Sequence, residues 1–188
     1  MNTIATQFPG VLLLEPKVLR DPRGFFLETY NRRAFAQIGI DVEFVQDNHS
    51  CSTFGVLRGL HYQLRRPQAK LVRCIRGEIF DVAVDVRRGS PTFGQWTAAS
   101  LSAENMRSLF IPEGFAHGFC VVSEVAEVVY KCSDFYAPPE ERGVLWSDPD
   151  LAIDWPLSAK DVILSDKDQR LLPLRQMDSA DLPADGVN

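Results

Sequence analysis

The chain lacks the features that mark a membrane-spanning, exported or helical-bundle protein. None of its 188 residues belongs to an apolar run near the roughly 18 to 20 residues that cross a bilayer. No basic stretch precedes the short apolar run Val11 to Leu14, as one would in a secretory leader. The four cysteines, Cys51, Cys74, Cys120 and Cys132, contain no C-x-x-C pair, and most lie in apolar strand-like runs, which predicts reduced thiols. There is no internal repeat, and Ala-rich or Glu/Lys-rich stretches are few, which argues against an all-helical bundle. These absences predict a soluble protein of the cytoplasm, with no membrane partner.

Acidic residues are also missing from one place. Between Asn48 and Gly77 the chain carries Arg58, Arg65, Arg66, Lys70, Arg73 and Arg76 and no Asp or Glu. Residues 1–90 hold 13 Lys/Arg against 9 Asp/Glu, and residues 91–188 hold 7 against 16. A local basic stretch in a protein of net charge -5 and pI near 5.2 suits a small anion. The whole-chain charge opposes a polyanion, so a nucleic-acid partner is not expected.

What is present is turn and strand chemistry. Twelve Gly, twelve Pro and twelve Phe accompany short runs of β-formers. Strands are predicted at 11–19, 25–30, 42–46, 56–63, 71–75, 79–86, 95–101, 107–111, 116–122, 125–132 and 144–146. Between them stand turn signals such as Asp21-Pro22-Arg23-Gly24, Arg88-Gly89-Ser90-Pro91 and Pro112-Glu113-Gly114. Helical candidates are confined to 32–38 and 166–171. The pattern predicts one all-β domain over residues 1–176, a sandwich or barrel, with a loosely ordered tail over 177–188.

Two histidine motifs carry the chemical signal. In Arg58-Gly59-Leu60-His61-Tyr62-Gln63, an Arg and a His flank a glycine within a strand. Strict alternation would put Arg58 and His61 on opposite faces, so for both to reach one cavity Gly59 must mark a bulge or twist. Pro112-Glu113-Gly114-Phe115-Ala116-His117 matches P-x-G-x-x-H, the corner by which jelly-roll barrels of the cupin type point a histidine into the barrel mouth. Metal-binding cupins add an H-x-H and a Glu seven residues before a glycine. Here those positions read His61-Tyr62-Gln63 and Lys70, and an ammonium offers no lone pair to a metal. No metal site is expected. A cation and two imidazoles in one mouth suit oxyanion stabilisation and proton transfer.

The runs Gln46-Asp47-Asn48-His49-Ser50, Arg58 to Gln63, Gly77 to Asp85, Ser90-Pro91-Thr92-Phe93-Gly94, Tyr130-Lys131-Cys132, Asp154-Trp155-Pro156-Leu157 and Leu164 to Asp168 resemble the dTDP-4-dehydrorhamnose 3,5-epimerase family. They reach from about Phe8 to Asp168. The resemblance implies a cupin-type jelly-roll barrel with short flanking helices, an N-terminal strand arm and a homodimer. It implies an epimerase of dTDP-L-rhamnose biosynthesis that needs no cofactor. The family inverts C3 and C5 of dTDP-4-dehydro-6-deoxy-α-D-glucose, the two carbons beside the C4 ketone. By the same resemblance His61 is the base, Asp168 its partner, Tyr130 the acid and Lys70 the group near the C4 oxygen. Arg23, Glu28, Gln46, Asp47, Asn48, His117, Glu141 and Lys167 match substrate-binding positions, Arg58 meets the diphosphate and Tyr136 stacks on thymine. Asp166 could take the place of Asp168. A relative inverting C3 or C5 alone, and a nucleotide-sugar-binding module without catalysis, are the alternatives.

Overall fold

Alternation with period two dominates the chain and produces an antiparallel fold, described here from a computed structural model that covers residues 1–185. In chain order the elements are β1 (Asn2–Ala5), β2 (Leu12–Glu15), β3 (Leu19–Asp21), β4 (Gly24–Phe26), α1 (Arg32–Ala36), β5 (Gln46–Thr53) and β6 (Leu57–Gln63). There follow β7 (Lys70–Arg76), β8 (Glu78–Asp85), β9 (Trp96–Ser102), β10 (Ser108–Ile111), β11 (Phe115–Val121), β12 (Val125–Cys132) and β13 (Glu141–Gly143). A six-stranded sheet runs β1-β2-β10-β7-β12-β5, a five-stranded sheet runs β13-β6-β11-β8-β9, and β3 and β4 pair as a separate hairpin. Two sheets face one another, as the all-β expectation requires.

Side-chain period sorts the apolar residues into three layers. Between the sheets, Val72, Cys74, Leu109, Ile111 and Val128 meet Ile79, Ala83, Leu101, Phe115, Phe119 and Val121. The intervening residues of the five-stranded sheet, Leu60, Tyr62, Val82, Val84 and Ala116, face outward and are covered by Leu151, Leu174 and Leu182. On the far side of the six-stranded sheet, Leu14, Leu71 and Phe110 pack under Phe35 and Ile40. The short helix α1 is started by Asn31, whose side chain accepts from the amides of Arg33 and Ala34.

Several sequence expectations are corrected. Residues 42–46 are loop up to Val45, and the strand is β5 instead, whose polar sequence QDNHSCST gives no apolar alternation. The run 11–19 breaks after Glu15 at Pro16, and 25–30 ends as a strand at Phe26. Val144 makes only an isolated bridge to Leu172, the strand being β13 just before it. The candidate helix at 166–171 is a single 3₁₀ turn, Asp168–Arg170. The tail expected to be loose is docked as far as Asp185. Asp181 accepts from the Tyr62 hydroxyl and pairs with Arg142 at 2.6 Å, Leu182 is buried, and Ala184 bridges to Arg88. The remainder of that expectation, 186–188, lies outside the described residues. No helix among the described residues is long and apolar enough to cross a membrane.

Candidate active site

The site begins at an irregularity in β6. Across β6 and β11, His61 pairs with His117, but the next pair is Arg58 with Phe119, so the register slips by one residue at Gly59. Gly59 has φ +123°, and a Cβ there would meet Gly118 Cα at 2.5 Å. A Cβ on Gly118 would in turn meet the Arg58 carbonyl at 2.7 Å. Two glycines therefore face each other where the strands approach most closely. The slip rotates Arg58 onto the same face as His61, and both line one cavity of about 600 Å³ between the sheets.

His61 Nε2 stands 2.6 Å from Asp168 Oδ1, bringing together residues 107 apart in sequence. Asp168 is buried and Asp166 exposed, so the pairing falls on Asp168. Burial pushes the Asp168 carboxyl upward, but the His61 hydrogen bond and charge, with Ser165 and Lys167, outweigh it, and its pKa lies below the ordinary value. The carboxylate form is thus the stable one. With a proton between Nε2 and Asp168, the other ring nitrogen is left as the basic one.

Lys70, at the start of β7, is buried and its ammonium reaches the His61 carbonyl at 3.4 Å. Desolvation lowers its pKa, opposed by the charges of Cys132, Asp81 and Glu141. Tyr130 lies on β12 in the six-stranded sheet, while His61 lies on β6 in the five-stranded one, and both line the cavity. Burial raises the Tyr130 pKa, so its hydroxyl keeps its proton at neutral pH.

The remaining cavity wall mixes polar and charged side chains with the apolar Val56, Leu57, Phe119, Ile163 and Leu164. Arg58 donates twice to Ser52 Oγ, at 3.2 and 3.0 Å. Tyr136 donates its hydroxyl to Glu141 Oε2 at 3.0 Å, and Lys167 donates to Glu141 Oε1 at 2.7 Å. Burial pushes the Glu141 carboxyl up, but Lys167 and Tyr136 more than offset it, leaving its pKa lowered. His117 Nε2 lies 2.6 Å from Asp81 Oδ1 in the interior. Gln46 and Asn48 point inward from β5 and line the adjoining part of the cavity with Cys132. Among the described residues no group of three or more His, Cys, Asp or Glu side chains is placed to hold a metal ion.

Three predicted residues are not brought to this cavity. Asp47 follows the alternation of β5 to the outer face of its sheet, where it pairs with Lys131 at 2.8 Å. Arg23 stands at the β3–β4 turn, paired with Asp21, and Glu28 accepts from Asn31 at 2.9 Å. The structure also adds residues that the sequence reading omits. Asp81, Ser52 and Cys132 all face the interior, and for Asp81 a signal exists: it shares the inward phase of Ile79 and Ala83 on an apolar strand, where an acid needs a partner.

Facing antiparallel sheets, with titratable side chains lining one cavity from both, define a protein of the cupin-like kind. Residues 5–176 match the family model described as dTDP-4-dehydrorhamnose 3,5-epimerase, and the chain belongs to that family. It is 61% identical over 170 residues to the dTDP-4-dehydrorhamnose 3,5-epimerase of Shigella flexneri, covering 89% of this chain and 93% of that one. The Pseudomonas aeruginosa protein of the same name is 59% identical over 90% of this chain and 94% of its own. Among solved structures, a Legionella pneumophila dTDP-6-deoxy-D-glucose-3,5-epimerase in complex with dTDP-4-keto-L-rhamnose superposes with a TM-score of 0.94. It is 50% identical and covers 97% of each chain.

Proposed function

We propose that this cavity inverts both C3 and C5 of dTDP-4-dehydro-6-deoxy-α-D-glucose to give dTDP-4-dehydro-β-L-rhamnose. The observation that carries this reading is that His61 and Tyr130 line one cavity from opposite sheets. Inversion beside a ketone needs removal of a proton on one face and delivery on the other. His61 takes the proton from carbon, and Asp168 stabilises the imidazolium that results. The electron pair moves onto the C4 oxygen, where the buried Lys70 ammonium meets the developing charge. Tyr130 then returns a proton to the opposite face, and the C4 carbonyl reforms. Once His61 has released its proton to solvent and Tyr130 has regained one, repetition at the second carbon completes the change, with no cofactor and no metal in the cycle.

The diphosphate is assigned to Arg58, whose planar fork suits phosphate oxygens. Thymine is assigned to the ring of Tyr136, with Gln46, Asn48, His117, Glu141 and Lys167 as further contacts. Arg23 and Glu28 fit this reading if a second copy supplies them. Phe25 and Phe26 beside them are 56% and 70% exposed on a projecting hairpin, an apolar surface that a homodimer would cover.

Proton NMR of the substrate with the protein in deuterated water tests the reading: both C3 and C5 should exchange and invert, before and after exhaustive chelation. Exchange at one carbon alone would install the single-carbon alternative, and none at either would leave a binding module. His61→Ala should abolish exchange, whereas Tyr130→Phe should keep exchange while losing inversion. The opposite pattern would make the tyrosine the base.

A further inference from the structure

We propose that Gln63 is a positioning residue for the nucleobase end of the site, acting through Tyr136. The inference rests on the assignment of Tyr136 to the base and extends it to a residue two positions beyond His61 on β6. Gln63 is buried, and its carboxamide is spent entirely on backbone. Its Nε2 donates to the carbonyls of Phe135 at 3.2 Å and Arg66 at 2.7 Å, and its Oε1 accepts the Ala137 amide at 2.7 Å. Peptide groups on both sides of Tyr136 therefore end on one side chain.

Apolar packing does not hold this segment, since Phe135 and Tyr136 are 56% and 53% exposed. Polar ties hold it instead. The Tyr136 amide donates to Gln46 Oε1 at 2.8 Å, and Gln68 Nε2 donates to the Asp134 carbonyl at 2.7 Å. The ring's far end is fixed by the hydroxyl to Glu141. Gln63 thus sets the backbone from which the ring projects, while Glu141 sets the other end. Strand β6 carries both tasks on one face, His61 toward the sugar and Gln63 toward the segment that carries the base platform.

Only a group with both a donor and an acceptor can replace Gln63. A glutamate of the same shape keeps the Ala137 contact but sets a carboxylate against two carbonyl oxygens. Gln63→Glu should raise the dTDP dissociation constant and KM about tenfold, the equivalent of one modest aromatic contact, with kcat within about twofold. Gln63→Met, which removes the hydrogen bonds without adding charge, should act in the same direction and serves if the glutamate variant fails to fold. The deciding measurement is a double-mutant cycle with Tyr136→Ala, reading dTDP affinity by calorimetry. If Gln63 works through Tyr136, its substitution adds little once the ring is gone. Effects that multiply, or a fall in kcat at constant KM, would overturn the proposal. If Tyr136→Ala alone leaves dTDP affinity unchanged, the assignment of the base fails and this proposal with it. If Tyr136→Ala weakens binding and both Gln63 variants do not, the role of Gln63 alone is refuted.

Discussion

The cavity holds two histidine–aspartate pairs on directly opposed residues of neighbouring strands, and they differ in depth rather than in kind. His61 and His117 are register partners, and each places Nε2 2.6 Å from an aspartate oxygen. The His61 side chain is 24% exposed and its aspartate arrives from a distant 3₁₀ turn, whereas His117 is 7% exposed and Asp81 is sealed within the neighbouring strand. Asp81 Oδ2 has no hydrogen-bond partner among the described residues, while Asp168 lies beside Ser165 and Lys167. A ring that reaches open cavity volume can take a proton from a bound molecule. The His117 ring lines the same cavity from a deeper position, where it can present a hydrogen bond to a bound molecule. In the proposed mechanism, access and not the identity of the pair separates the base from the contact.

Substitution of the two histidines gives the largest expected contrast. His61→Asn should lower turnover by about 10³-fold, within the range for losing a general base, while His117→Asn should cost about tenfold and mostly in KM. Steady-state kinetics on both variants reads this directly, and equal losses in kcat would erase the distinction. The aspartates sharpen it. Asp168→Asn should slow turnover by about 10²-fold, because an amide cannot stabilise the imidazolium. Asp81→Asn should act chiefly on folding, costing about 1 to 3 kcal/mol as a disturbed buried hydrogen bond, and urea unfolding beside kinetics would show which quantity moves. Arg58→Ala, at the open end of the same slipped strand, should weaken dTDP binding by about 1.5 to 3 kcal/mol with the fold intact. Unaltered affinity by calorimetry would place the diphosphate elsewhere.

The buried strands were the legible part of the fold. In β8 and β11 the apolar residues appear in long runs because both faces are covered, and the runs 79–86 and 116–122 predict them to within a residue or so. β5 was illegible for the converse reason. One face of it lines the cavity with Gln46, Asn48 and Ser50 and the other carries Asp47 and His49, so the alternation of inside and outside has no apolar counterpart. For the site, alternation shows that Arg58 and His61 diverge unless Gly59 marks a bulge, and it is the family resemblance that asks both to share one cavity. The family resemblance alone points to Asp168, with Asp166 beside it, as the partner of His61, and only the turn that buries Asp168 decides between them. By sequence Gln63 occupies a cupin metal-ligand position filled by an amide. Its use as a backbone clamp depends on a segment more than seventy residues away, which no local pattern encodes.

The smallest expected effect concerns how the open pair depends on pH, and it isolates the carboxylate from the ring. The Asp168 carboxyl in the folded protein lies below the ordinary carboxylate range, with burial opposing and His61 favouring the charged form. A carboxyl whose folded pKa is depressed binds fewer protons when folded than when unfolded. Its contribution to stability is therefore complete above the unfolded value and is lost as pH falls through the folded one. Asp168→Asn removes this contribution at every pH, so wild type should be the more stable at about pH 5, where the carboxyl is ionised in both states. The gap should close as pH falls below about 4, because the protonated wild-type side chain then resembles the amide. Urea unfolding midpoints of the two proteins at a series of acidic pH values measure the gap. A gap that stays constant or widens on acidification would mean that the Asp168 carboxylate is not favoured by folding, and that the short contact to His61 does not hold it in the charged form.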